Sequence, residues 1–147
     1  MTIGAGSSAA ISQIFVSNLM HRFDRERPGL PAIALEADSI TLSSLTDERQ
    51  SERYSRQIKA LAKASDCVVL VSATGRRSKL VQAVISAHDL EIPVIALTGG
   101  DGGEIQSLLN HSDTEIRVQS DHPTTIHELH LMLIHCLSEL IDIKIFG

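Results

Sequence analysis

The sequence predicts a parallel, doubly wound α/β domain, and three features carry that prediction. Short apolar runs alternate with longer stretches of helical period. Two of those runs, Cys67-Val68-Val69-Leu70-Val71 and Val94-Ile95-Ala96-Leu97, are apolar without alternation, as strands covered on both faces are. Small-residue turns rich in Gly, Ser and Thr follow the strand candidates, where an open parallel sheet holds its ligands.

In chain order, five strands are expected: Met1–Gly4, Ala32–Leu35, Cys67–Ser72, Pro93–Thr98 and Thr114–Val118. Helices are expected at Ala9–Phe23, Glu52–Ala64, Ser78–His88, Gly103–Leu109 and Thr124–Lys144. Right-handed crossovers between such strands produce one five-stranded sheet with helices on both faces, a single domain over residues 1–147. Arg22–Arg27 mixes charges of both signs before Pro28-Gly29 and reads as a solvated turn. The last helix is apolar nearly all round, with Ile126, Leu129, Leu133, Leu137 and Leu140 on one stripe and Leu131, Met132, Ile134 and Ile141 on other faces. Such a helix is buried on more than one side, either at the centre of one subunit or between subunits. Because the first strand opens the chain, the elements that normally feed such a strand in a parallel sheet are expected to be missing.

Composition narrows the function. The 147 residues are 43% hydrophobic and 21% charged, and the net charge of −5 argues against broad electrostatic binding to nucleic acid. No run of about 20 apolar residues and no signal-peptide pattern is present, so a cytoplasmic protein is expected. Cys67 and Cys136 both read as reduced core thiols.

Three turns are placed to bind phosphate through hydroxyls and glycine N–H groups: Gly4-Ala5-Gly6-Ser7-Ser8, Ser72-Ala73-Thr74-Gly75 and Thr98–Gly103. They also fit plain βα turns, in which the same residues serve sterics and capping. Arg76 and Arg77 either add charge to a phosphate site or are simply exposed. His127-Glu128-Leu129-His130 lacks the H-E-x-x-H spacing of a zinc helix, so no metal and no cofactor is expected. His135, within the apolar run, suits either an acid–base role near a sugar or a core histidine across a subunit interface.

Taken together these residues resemble the sugar isomerase (SIS) domain family, in the branch that contains the phosphoheptose isomerases and the proteins that associate with the replication initiator DnaA. Gly4–Ala10 is similar to that branch's G-N-G-x-S-A-A loop, and Arg27–Leu35 to R-P-x-L-P-A-I-A-L. Ser72–Gly75 stands for S-T-S-G or S-T-R-G, Ala96–Gly103 for A-L-T-G-x-D-G-G, and Ile126–His130 for I-Q-E-x-H. The resemblance implies further N-terminal helices used in tetramer formation, and most of a first strand, ahead of Met1. It also implies a sugar-phosphate site at Gly6, Ser7, Ser8, Ser72, Thr74, Asp47 and His127.

Phosphoheptose isomerisation moves a proton between adjacent carbons through an enediol. The resemblance implies a glutamate on the first helix and a histidine on the last for that step. The histidine matches His135, but the glutamate position is Asn18, an amide that exchanges no proton at neutral pH. Loss of a general base costs about 10²–10⁴-fold in rate. Ile14 replaces a family histidine, Ala5 an asparagine, Ala73 a threonine, Arg76-Arg77 an Asn-Ser pair and His127 a glutamine. The initiator-associating relatives likewise lack the glutamate. The resemblance therefore implies a non-catalytic homo-oligomer that binds DnaA, with Ile145 and Phe146 as the partner-binding end. Phosphoheptose isomerase and sugar-phosphate sensor are the alternatives, with no membrane contact in any of them.

Overall fold

The computed structural model of the chain describes residues 1–35 and 47–147, the side chains of Asp47 and Glu48 excepted. The elements run β1 (Thr2–Gly4), α1 (Ser7–Met20), a 3-10 helix (Asp47–Glu52), α2 (Arg53–Leu61), β2 (Val68–Ser72), α3 (Ser78–Asp89), β3 (Val94–Gly99), α4 (Gly103–Leu108), β4 (Thr114–Val118) and α5 (Pro123–Phe146). The α/β class and the parallel sheet are as the sequence predicts.

Among the described residues the sheet has four strands in the order β1-β2-β3-β4, not five. The expected strand Ala32–Leu35 makes one parallel bridge, Thr2 to Ala34, held by Thr2 N–H to Ile33 O (2.8 Å) and Leu35 N–H to Thr2 O (2.9 Å). The bridge still fixes the topology. The chain leaves β1 toward the Ala34 edge and returns on the other side to form β2, so a crevice opens between the carboxyl ends of β1 and β2.

Strand pleating sends alternate side chains into two cores. Val68 and Leu70 pack with Tyr54, Ile58, Leu80, Val84 and Ile105 from α2, α3 and α4 on one face. Val69 and Val71 pack with Ile11 and Phe15 of α1 and Ile134 of α5 on the other. Each fully buried Leu, Ile or Val contributes about 1.5–3 kcal/mol, which explains why β2 reads as an unbroken apolar run.

Helix α5 departs from its expected stripe. The face turned inward is Ile126, His130, Ile134, Ser138 and Asp142, which recur every four residues. Leu140 and Met132 are exposed instead, and so is Cys136, which was expected in the core; it lies between them on the outer face.

Arg27 is the larger correction, since it is no part of a solvated turn. Its side chain is 2% exposed and its Nε donates to Asp142 Oδ1 at 2.9 Å. Its Nη atoms donate to the carbonyls of Asn18 (2.7 Å) and Leu19 (2.6 Å), which the end of α1 leaves unsatisfied. One guanidinium thus caps α1 and ties it to α5.

Candidate functional site

The turn after β1 is forced by close packing. A Cβ at Gly4 would overlap the Ser8 carbonyl, so only glycine lets α1 start this near the strand end. Gly6 follows with φ +65°, and α1 begins at Ser7. Across the crevice, Ser72 Oγ accepts the Gly75 N–H at 3.0 Å and closes the turn after β2. Gly75, at φ +63°, lies against the Gly102 carbonyl where a Cβ has no room.

These turns and the start of α5 enclose a cavity of about 280 Å³ lined by Ala5, Gly6, Ser7, Ser8, Ser72, Ala73, Thr74, Arg77, Pro123 and His127. Ser8 Oγ lies 3.3 Å from His127 Nε2, which joins α1 to α5 across it. Six of the seven residues expected at a ligand, Gly6, Ser7, Ser8, Ser72, Thr74 and His127, therefore share one pocket. The side chain of the seventh, Asp47, lies outside the described residues. The N-termini of α1, α3 and α5 all open on this cavity, at Ser7, Arg77 and Pro123. Each carries about half a positive charge, a setting suited to an anion. Pro123 was not legible locally, because its place depends on how helices from distant segments converge.

The third glycine turn lines an adjoining cavity that shares Ala73, Thr74 and Pro123 with the first. Gly99, Gly100 and Asp101 line a neighbouring cavity of about 270 Å³ with Arg76, Ser120 and Asp121. Asp101 pairs with Arg76 and accepts the Gly103 N–H at 3.0 Å; that N–H, with the Arg76 charge, holds its carboxyl below the usual range despite some desolvation. Behind it, Thr98 Oγ1 donates to Glu115 Oε1 at 2.5 Å. Burial pushes the Glu115 carboxyl up, and the bonds from Arg117 and Thr98 outweigh it and hold it down.

The positions that the resemblance links to proton transfer are not at the cavity of this chain. Asn18 lies ten residues beyond Ser8 on α1, about 15 Å along the helix axis. Its Nδ2 donates to Ser138 Oγ on α5 at 3.1 Å. His135 is half-buried and stacks on Phe23, with ring centroids 5.5 Å apart. His130 is the fully buried histidine. Its Nε2 donates to Thr98 O at 2.9 Å, and its Nδ1 has no partner. Burial holds its pKa below the ordinary value, so the ring is neutral.

Near the carboxyl end, Ile145 is 56% exposed and Phe146 lies over Arg27 at 5.8 Å while remaining 37% exposed. With Met132, Leu140 and Ile143 they make α5 the most apolar exposed helix surface. Among the described residues no group of His, Cys, Asp or Glu could hold a metal ion, and no helix is long and apolar enough to cross a membrane.

Comparison with known proteins agrees with this geometry. The family model described as SIS domain matches residues 1–99. A protein named phosphoheptose isomerase from Chromohalobacter salexigens is 47% identical, over 100% of this chain and 75% of that relative. The DnaA initiator-associating protein DiaA of Edwardsiella ictaluri is 43% identical over 97% of this chain and 74% of its own length. The solved phosphoheptose isomerase from Francisella tularensis superimposes with a TM-score of 0.90 at 42% identity, covering 96% of this chain and 74% of that one. With its glycine and serine turns placed as that fold requires, this chain belongs to the SIS domain family.

Proposed function

We propose that this chain is a non-catalytic SIS-domain protein of the initiator-associating type: a cytoplasmic homo-oligomer that binds DnaA, promotes initiation of chromosomal replication and retains a sugar-phosphate site. The observation that carries the reading is Asn18. At the position where the resemblance implies a glutamate base there is an amide, and it is engaged with Ser138 across the α1–α5 contact. A carboxamide neither takes nor returns a proton at neutral pH, so the enediol step has no base on this helix. The 43% identical relative whose name gives DnaA association supports the partner. The exposed Ile145 and Phe146 support the place, since an apolar end on a protein surface is best explained by a contact.

The sugar-phosphate site would be formed by Gly6, Ser7, Ser8, Ser72, Thr74 and His127, with Asp47 as a further contact. Serine hydroxyls and three helix N-termini hold phosphate without metal. The exposed apolar stripe of α5, Met132, Cys136 and Leu140, supports self-association. The direct test immobilises the chain and passes purified DnaA over it. Retention is expected, with loss in the Ile145→Asp, Phe146→Ala double variant; no retention of DnaA by the parent chain would refute the reading. One observation favours a second reading, phosphoheptose isomerase: His135 is the residue the resemblance assigns to the last helix, and the 47% identical relative carries that name.

A further inference from the structure

Apart from its helix ends, the described part of the phosphate cradle is uncharged, yet one side of the cavity is cationic. Arg77 lines it, is exposed, and its side chain makes no ion pair or hydrogen bond among the described residues. In this respect it differs from its neighbour Arg76, which is paired with Asp101. Arg53, at the start of α2, is anchored beside the same loop: its Nη2 donates to Tyr54 Oη at 3.2 Å, and that hydroxyl donates to Gly4 O at 2.5 Å. The Arg53 Nε is buried and has no partner. Lys79, in the first turn of α3, completes the group. It stands two residues beyond Arg77 on the same helix, and burial with the nearby charges of Arg53 and Arg77 lowers its ammonium pKa.

Among the described residues these three cations have no ion-pair partner, in a chain of net charge −5, and an anion would offset their repulsion. A single phosphate monoester carries about −1.5 to −2 at neutral pH, and three helix N-termini at about +0.5 each already offset most of that. The resemblance places an uncharged Asn-Ser pair where Arg76 and Arg77 stand, so the added charge belongs to this chain's own ligand preference.

We propose that the cavity takes a sugar ligand with two anionic groups, a phosphate on Ser8, Ser72 and Thr74 and a second anion on Arg77, with Arg53 and Lys79 adding positive charge beside it. This rests on the reading that the site binds a sugar phosphate. Monophosphate sugars fill only the first subsite, and the second selects for a further phosphate or a carboxylate.

Titration calorimetry on the full chain with fructose 6-phosphate, fructose 1,6-bisphosphate and 6-phosphogluconate tests it. At least one of the doubly anionic ligands is expected to bind about tenfold or more tightly than the monophosphate, the difference made by one charge-assisted bidentate contact. Which of the two does so tells a second phosphate from a carboxylate. Arg77→Ser is expected to remove that preference and to weaken the monophosphate less than about threefold, with the melting temperature unchanged because the side chain is exposed. Equal affinity for all three ligands overturns the second subsite and leaves the sugar-phosphate reading standing. Equal weakening of every ligand by Arg77→Ser also overturns it, because the arginine would then serve the first phosphate. No binding of any of them overturns both.

Discussion

Asn18 Nδ2 donates a 3.1 Å hydrogen bond to Ser138 Oγ, and that hydroxyl in turn donates to the Ile134 carbonyl at 2.8 Å. The relay links α1 to α5 on the sheet face that both helices cover. Asn18 therefore has a structural use that does not depend on proton transfer. Asn18→Ala is expected to destabilise the fold by about 0.5–1.5 kcal/mol, the usual net value of one such bond. Urea denaturation reads this directly, and a loss of more than about 3 kcal/mol would mean that the amide does more than bridge the two helices.

Arg27 and Asp142 form the buried counterpart of that bridge. Asp142 is 1% exposed, and its Oδ2 has no partner besides what Oδ1 receives from Arg27. Arg27→Ala would strand the carboxylate and release the α1 carbonyls, with an expected loss of about 3–5 kcal/mol. Asp142→Asn should be milder, because Arg27 keeps its bonds to the Asn18 and Leu19 carbonyls. Chemical denaturation of the two variants checks the order, and equal small losses would contradict it.

His130 sets a pH dependence whose sign follows from its burial. Desolvation depresses its pKa in the folded state, an effect only partly offset by the bond to Thr98 O. The unfolded chain takes up that proton near the ordinary value of about 6.5 while the folded chain does not. Its contribution to stability is thus fully present above that value. It is lost as pH falls below it, by up to about 1.4 kcal/mol per pH unit. Unfolding free energies measured between about pH 5 and 7.5 should slope more steeply for the parent than for His130→Gln; parallel curves would show that the ring protonates in place.

Ligand binding at the crevice predicts a thermal shift. A sugar phosphate at a hundred times its Kd should stabilise the chain by about 2.7 kcal/mol. Ser8→Ala combined with Thr74→Ala should abolish the shift, since both hydroxyls line the cavity. Persistence of the full shift in the double variant would move the ligand elsewhere.

Sequence patterns revealed what depends on neighbours along the chain. The unbroken apolar runs at 67–71 and 94–97 marked the buried parallel strands, and the hydroxyl-rich turns marked the ends on which a cavity is built. Features that depend on remote partners stayed hidden. Arg27 looks solvated among the charges of 22–27 because its partner lies 115 residues away on α5. His130, Ser138 and Asp142 broke the expected apolar stripe because each has a polar partner on another element. The strand at Ala32–Leu35 has the right residues, yet among the described residues only Thr2 pairs with it. Of the expected ligand residues, the serines and glycines were visible as turns, whereas the convergence of three helix N-termini required the fold.

With an amide at residue 18, this SIS domain is expected to hold a sugar phosphate without isomerising it. Incubation of the purified chain with sedoheptulose 7-phosphate, followed by phosphorus NMR, decides between holding and turnover. A single unchanged substrate resonance over time is expected. Steady appearance of heptose 7-phosphate, abolished by His135→Ala, would contradict it.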